Sequence, residues 1–202
     1  MTARIDKVVV PGVFSLDGQD FDVENNVWLV GDDDEVLVID APHDAAPIVE
    51  AIGGRRVTAI VLTHGHNDHI TAAPALREAT GAEIWFHPAD RMLWDMTHAD
   101  TMPDRDLAAG VRFRVAGTTL LALHTPGHSP GSTCLHAPDL ATVFTGDTLF
   151  CDGPGATGRS FSDGDLIVHS IRSELFSLHG DTVVRTGHGE DTTIAAELRT
   201  IG

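Results

Sequence analysis

The sequence predicts a mixed α/β fold in which two mixed sheets pack together and helices cover both outer faces. Three observations lead there. Runs of β-branched and apolar residues alternate with helix-periodic segments in the first half of the chain; short strands joined by Gly- or Pro-containing turns fill much of the second; and two further helical segments follow them. With 202 residues, 42% of them hydrophobic, and 20 glycines, the chain suits one domain, residues 1–202, at roughly 100–200 residues per domain.

In chain order, Ile5 to Val10, Asn26 to Val30 and Glu35 to Ile39 read as strands, with Asp32-Asp33-Asp34 a solvated turn between the last two. Asp44 to Ile52 has helical spacing, Pro47 in its first turn and Gly53-Gly54 as its stop. The apolar run Val57 to Leu62 is a buried strand, so strand, helix and strand form a parallel crossover. Asn67 to Thr80 reads as one helix stopped by Gly81, followed by a strand from Ala82 to Phe86. Leu93 to Ala109 is polar and aperiodic, a short helix and a long surface loop of the kind that borders a site. Strands follow at Val111 to Val115, Thr118 to Leu123, Ser132 to Leu135 and Thr142 to Phe144. Asp152 to Asp165 is a Gly-rich loop, Asp165 to Leu178 an amphipathic helix, Thr182 to Arg185 a strand and Thr193 to Ile201 a closing helix.

A net charge of −17 with no basic stripe argues against a nucleic-acid partner. Two cysteines, Cys134 and Cys151, cannot build a disulfide framework or a Cys-based zinc finger, and a buried thiol is the ordinary reading of Cys151. Pro11 and Gly12 interrupt the first apolar stretch, which fails as a signal-peptide core, and there is no run of 18 apolar residues. A soluble, unprocessed cytoplasmic protein without membrane contact is expected; its oligomeric state is not specified.

The twelve histidines carry the chemical information. Thr63-His64-Gly65-His66-Asn67-Asp68-His69 directly follows a strand and precedes a helix. Residues two apart in an extended segment share a side, so His64 and His66 converge on one ion, while Asp68 and His69 in the first helical turn face a neighbouring position. Three later fragments repeat the form of a strand ending in Gly or Pro before a ligand-type residue: Thr125-Pro126-Gly127-His128, Phe144-Thr145-Gly146-Asp147 and Thr186-Gly187-His188-Gly189. Each is weak singly; with the first they place all the ligands at one edge of the sheets.

This set resembles the metal motif of the metallo-β-lactamase superfamily, and within it most resembles short glyoxalase-II-like hydrolases, from about Val27 to Glu197. The resemblance implies a four-layer αββα sandwich with the site at one edge between the sheets. It implies that His64, His66 and His128 hold one metal, that Asp68, His69 and His188 hold a second, and that Asp147 bridges both. Asp40 matches a family aspartate that supports the ligand loop without binding metal.

Nitrogen and carboxylate donors without thiolate suit two divalent ions, zinc first, with iron or manganese as alternatives. A hydroxide held between them is the expected nucleophile, with Asp68 handling the proton. An acyl thioester suits such a site because a thiolate leaves without a strong acid. The chain after His188 is too short for the helical domain that contacts glutathione in glyoxalase II, and tyrosine is absent, which points to a different thiol and away from a lactonase. Asp147 in place of cysteine speaks against the commonest zinc β-lactamases. The main alternative is a persulfide dioxygenase with one iron on His64, His128 and Asp147. Another ester or lactone hydrolase and a non-catalytic metal-binding module are the remaining readings. For substrate contact the candidate is Arg159, a guanidinium able to grip a carboxylate. The other seven histidines match no ligand position, His87 being the first exception to consider.

Overall fold

The computed structural model describes residues 3–201. It opens with a long hairpin, β1 (Arg4–Leu16) and β2 (Gln19–Gly31), followed by β3 (Glu35–Ile39), α1 (Ala45–Ile52) and β4 (Arg56–Val61). Next come α2 (Asn67–Ile70), α3 (Ala73–Thr80), β5 (Ile84–Phe86), α4 (Arg91–Thr97) and β6 (Arg105–Asp106). These complete the first sheet, ordered β1-β2-β3-β4-β5-β6, antiparallel through β3 and parallel after it.

The second sheet takes β7 (Arg112–Val115), β8 (Thr118–His124), β9 (Thr133–Ala137) and β10 (Thr142–Gly146). A small ribbon of β11 (Leu149–Phe150) and β12 (Gly153–Pro154) and the helix α5 (Gly164–Ser170) precede β13 (Val183–Thr186), β14 (Thr192–Thr193) and α6 (Ile194–Ile201). Its order is β14-β13-β10-β9-β8-β7, with only β10 and β13 parallel.

Strand alternation divides the apolar residues into three cores. Trp28, Val30, Leu37, Phe113, Leu120 and Phe144 meet between the sheets. Val27, Leu29, Ile60, Ile48, Leu76 and Trp94 lie between the first sheet and its helices, and Val143, Val184, Ile167, Ile171 and Ile194 between the second sheet and its own. The result is the four-layer αββα sandwich. Among the described residues no helix is long and apolar enough to cross a membrane.

Several boundaries differ from expectation for identifiable reasons. The first two strands run through Pro11 and Gly12 to a two-residue Asp17-Gly18 turn; β1 is an edge strand, where a missing proline N–H costs no ladder bond. Asn67 to Thr80 is two helices, because Pro74 has no N–H for the Ile70 carbonyl, which instead meets His98 Nε2 at 2.9 Å. The helix expected to end at Leu178 passes after Ser170 into a π-helical turn, Ile171–Leu175. Asp32 behaves as a turn residue, accepting from the backbone of Asp34 and Glu35.

Candidate metal centre

Strands β4, β8, β10 and β13 all end at one edge of the sandwich, and the ligand-type residues occupy the segments that leave those ends. The tight turns are enforced by packing. Gly127 has φ 139° and lies against the backbone of Ile167 at the start of α5; Gly146 has φ 49° and leaves no room for a Cβ beside Thr63 Oγ1.

His64 Nε2 lies 3.0 Å from His66 Nδ1, and His128 Nε2 lies 2.9 Å from the same atom. Beside this trio, His69 Nε2 and His188 Nε2 are 3.2 Å apart, and Asp68 Oδ2 is 3.6 Å from the first and 3.3 Å from the second. Asp147 stands between the groups: Oδ1 is 3.3 Å from His69 Nε2, and Oδ2 is 3.5 Å from both His128 Nε2 and His188 Nε2. Two adjoining clusters therefore share one carboxylate. Asp40 lies behind them, its Oδ2 2.8 Å from His69 Nδ1 and its two oxygens accepting from the backbone and hydroxyl of Thr63.

The surroundings set the ring tautomers. His128 Nδ1 faces the Ala156 carbonyl at 2.9 Å, His188 Nδ1 faces that of Glu24 at 2.8 Å, and His69 Nδ1 faces Asp40; each partner only accepts, so each Nδ1 carries the proton. Thr63 Oγ1 donates to Asp40 and so accepts from His64 Nδ1 at 3.2 Å. Four Nε2 atoms, with His66 Nδ1 and two carboxylates, thus point inward. Asp68 Oδ1 and Asp147 Oδ1 are buried without a hydrogen-bond partner. Donors so arranged fit divalent cations, which supply the positive charge that these atoms lack.

Electrostatics divides the histidines in the same way. Burial holds His64 well below the ordinary histidine range, and burial together with His128 takes His66 down to about 3. Burial also opposes charge on His69 and His188, but Asp147 and Asp68 overcome it, raising His69 well above the usual value and His188 to about 10. The same pairs overcome burial at Asp68 and Asp147 and keep both carboxyls low. Metal must therefore displace protons from His69 and His188. Zinc affinity is expected to rise with pH between 6 and 8, by up to about tenfold per unit for each proton displaced, in chelator-competition titrations; a flat profile would contradict this arrangement.

Beyond the expected ligands, the fully buried Asn25 donates from Nδ2 to Asp68 Oδ2 at 3.0 Å and lies 3.2 and 3.3 Å from Nε2 of His69 and His188. His43 Nε2 holds its Oδ1 at 2.7 Å. Two amides, Asn25 and Asn26, directly preceding the apolar run Val27–Val30 were the available signal. Among the histidines outside the ligand pattern it is thus His43 that reaches the site; His87 stacks on His124 with ring centroids 4.2 Å apart. Asp90, buried before α4, accepts from Gly65 N at 2.8 Å, Ser129 Oγ at 2.6 Å and Gly131 N at 2.6 Å, joining the loop of His64 and His66 to that of His128.

A cavity of about 890 Å³ opens over His66, Asp68, His128, Asp147 and His188. Its outer wall is the distal part of the β1-β2 hairpin, held by Asn67, which donates to Val13 O and accepts from Ser15 N. Arg159 does not line this cavity. It bonds Gln19 Oε1 at 3.1 Å and lies over the rings of Phe21 and Phe14, 4.5 and 5.9 Å from their centroids, bracing the hairpin. Of the Leu93 to Ala109 segment, expected to border the site, only Leu93, Met96 and Thr97 do so, lining a second pocket beside Gly65 and His66 and not this cavity, and Cys151 is exposed rather than buried.

A family model for the metallo-beta-lactamase superfamily matches residues 21–188. The hydroxyacylglutathione hydrolase GloC of Haemophilus influenzae is 32% identical over 192 residues, covering 87% of this chain and 91% of that protein. Among solved structures, the BLEG-1 B3 metallo-beta-lactamase superposes with a TM-score of 0.80 at 26% identity, and TTHA1623 in a di-iron-bound form with 0.76 at 30%; each comparison covers 95% of this chain and 98% of the other.

Proposed function

The chain belongs to the metallo-beta-lactamase superfamily, and from that premise we propose that it is a metal-dependent hydrolase that cleaves an acyl thioester. The observation that carries this reading is the convergence of four Nε2 atoms, His66 Nδ1 and the Asp68 and Asp147 carboxylates on the floor of an open cavity. We assign His64, His66 and His128 to one divalent ion, Asp68, His69 and His188 to a second, and Asp147 to both, with zinc as the first candidate and iron or manganese as alternatives. Divalent ions held by these residues would supply Lewis acidity and activate water near neutral pH.

The protein groups do the rest. Asp40 and the carbonyls of Glu24 and Ala156 hold three rings in the required tautomer. Asp68 Oδ1, buried and without a protein donor, can accept a proton during collapse of the tetrahedral adduct. The hairpin excludes water from one side and offers apolar surface to the substrate. A thiolate leaves without a strong general acid, which makes a thioester a suitable substrate for such a cluster. The activity for which the Haemophilus influenzae relative is named, hydrolysis of hydroxyacylglutathione, is of this class.

The test pairs elemental mass spectrometry of protein purified without added metal with thiol release from S-acyl substrates. Near two zinc ions per chain, or a mixed pair, with metal-dependent thiol release is the expected result. One iron per chain, no thiol release and oxygen uptake with a persulfide would replace this reading with the dioxygenase.

A further inference from the structure

We propose that the thioester taken by this cavity carries no carboxylate on its thiol portion: its thiol is uncharged or cationic, and its body is apolar. This rests on the hydrolase reading above and adds to it the charge class of the substrate. The observation is the make-up of the wall opposite the metal cluster. Register pairs Pro11 with Glu24 and Val13 with Asp22, and strand alternation puts these four side chains on the same hairpin face as Trp28, the face turned toward the space between the sheets. All four line the cavity, together with Phe14 and Phe150.

With the acyl carbonyl over the cluster, the remaining atoms of the substrate lie against this wall. They meet apolar surface and two carboxylates. Among the described residues lining the cavity there is no arginine or lysine. Two cations stand at its margin, each on neutral partners and neither in the lining: Arg159 bonds Gln19 and lies over Phe21 and Phe14, and Lys7 donates to the Gly189 carbonyl and sits 5.3 Å from the centre of the Trp28 ring. A thiol with several carboxylates would thus bring like charge beside Asp22 and Glu24, inside a Debye length of ~10 Å at 0.1 M salt, with no partner for its own anions. A quaternary ammonium or a neutral amide meets no such penalty. The former gains from the two carboxylates and from neighbouring aromatic faces.

Two readouts on the metal-loaded protein test this. Calorimetry compares three unreactive S-butyl thioethers, those of glutathione, N-acetylcysteamine and thiocholine. Kinetics compares kcat/KM for the matching butyryl thioesters. At low ionic strength the thiocholine and N-acetylcysteamine compounds are expected to exceed the glutathione compound by about tenfold or more in both. The gap should narrow at about 0.5 M salt and in the Asp22→Asn/Glu24→Gln double variant. Equal or tighter binding of S-butylglutathione, with thioesters still hydrolysed, overturns the charge assignment and leaves the hydrolase reading standing. The expected binding order without hydrolysis of any thioester supports the charge assignment and removes the hydrolase reading.

Discussion

Gly187→Ala is expected to dismantle the metal centre while leaving the protein folded. A Cβ at this position would overlap Asp147 Oδ1 and lie 2.9 Å from His69 Cε1 and 3.0 Å from the carbonyl carbon of Gly146. The backbone has little freedom to retreat, because Gly187 N donates to Gly146 O and Gly187 O accepts from Asn26 N, both at 2.8 Å. Asp147 must therefore swing away, and with it goes the carboxylate that the two clusters share. Overpacking of this kind costs about 1–3 kcal/mol, within reach of a folded domain's stability. Metal affinity should fall by about 100-fold or more, the upper end of what misplacing a supporting group costs, since here a candidate ligand itself is moved. Zinc content after dialysis against a weak chelator, read beside the circular dichroism melt, checks both halves. Full zinc retention would show that Asp147 has room to stay.

Asp90→Ala should be the most destabilising change outside the candidate ligands. The carboxylate is fully buried and serves three donors: the backbone N–H of Gly65 between His64 and His66, the hydroxyl of Ser129 next to His128, and the backbone N–H of Gly131. Burial pushes the Asp90 carboxyl above its usual range, and the bonds from Ser129, Gly131 and Gly65 offset part of that. Removing it leaves two buried backbone donors, Gly65 N and Gly131 N, without an acceptor, while Ser129 Oγ keeps Ser132 Oγ at 2.9 Å. A loss of about 3–5 kcal/mol is expected, since each buried donor left unsatisfied costs about 1–3 kcal/mol and two are left so. For a domain of this size that corresponds to a melting temperature lower by roughly 6–20 °C. Asp90→Asn, which keeps one acceptor oxygen, should fall between. A melt of the alanine variant within about 1 °C of the parent would mean that water replaces the carboxylate at no cost.

The same residue shows why parts of the site were legible in the sequence and parts were not. A ligand histidine declares itself by local spacing: His64 and His66 share one side of an extended segment, and Asp68 and His69 occupy the turn that follows. Asp40, a carboxylate at a strand end, could be assigned a supporting role from the family resemblance. Asp90 in Pro88-Ala89-Asp90 reads as an ordinary helix start, because its partners lie 25, 39 and 41 residues away. Arg159 looked available for substrate because the Phe21 and Phe14 rings that it covers lie at the other end of the chain.

What the sequence determined by itself was therefore periodic and local: the alternation that makes two sheets and their helices, the Gly- and Pro-marked strand ends, and the identity and order of the His and Asp donors. These follow from backbone geometry and from the short range over which one residue fixes the direction of the next. Only the tertiary structure decided which spare groups reach the donors, as Asn25 does directly and His43 through it, and that the hairpin of Pro11, Val13, Asp22 and Glu24 walls the cavity with carboxylates. Those relations join segments brought together by burial of the apolar faces, and no local pattern encodes the partner of a side chain across the fold.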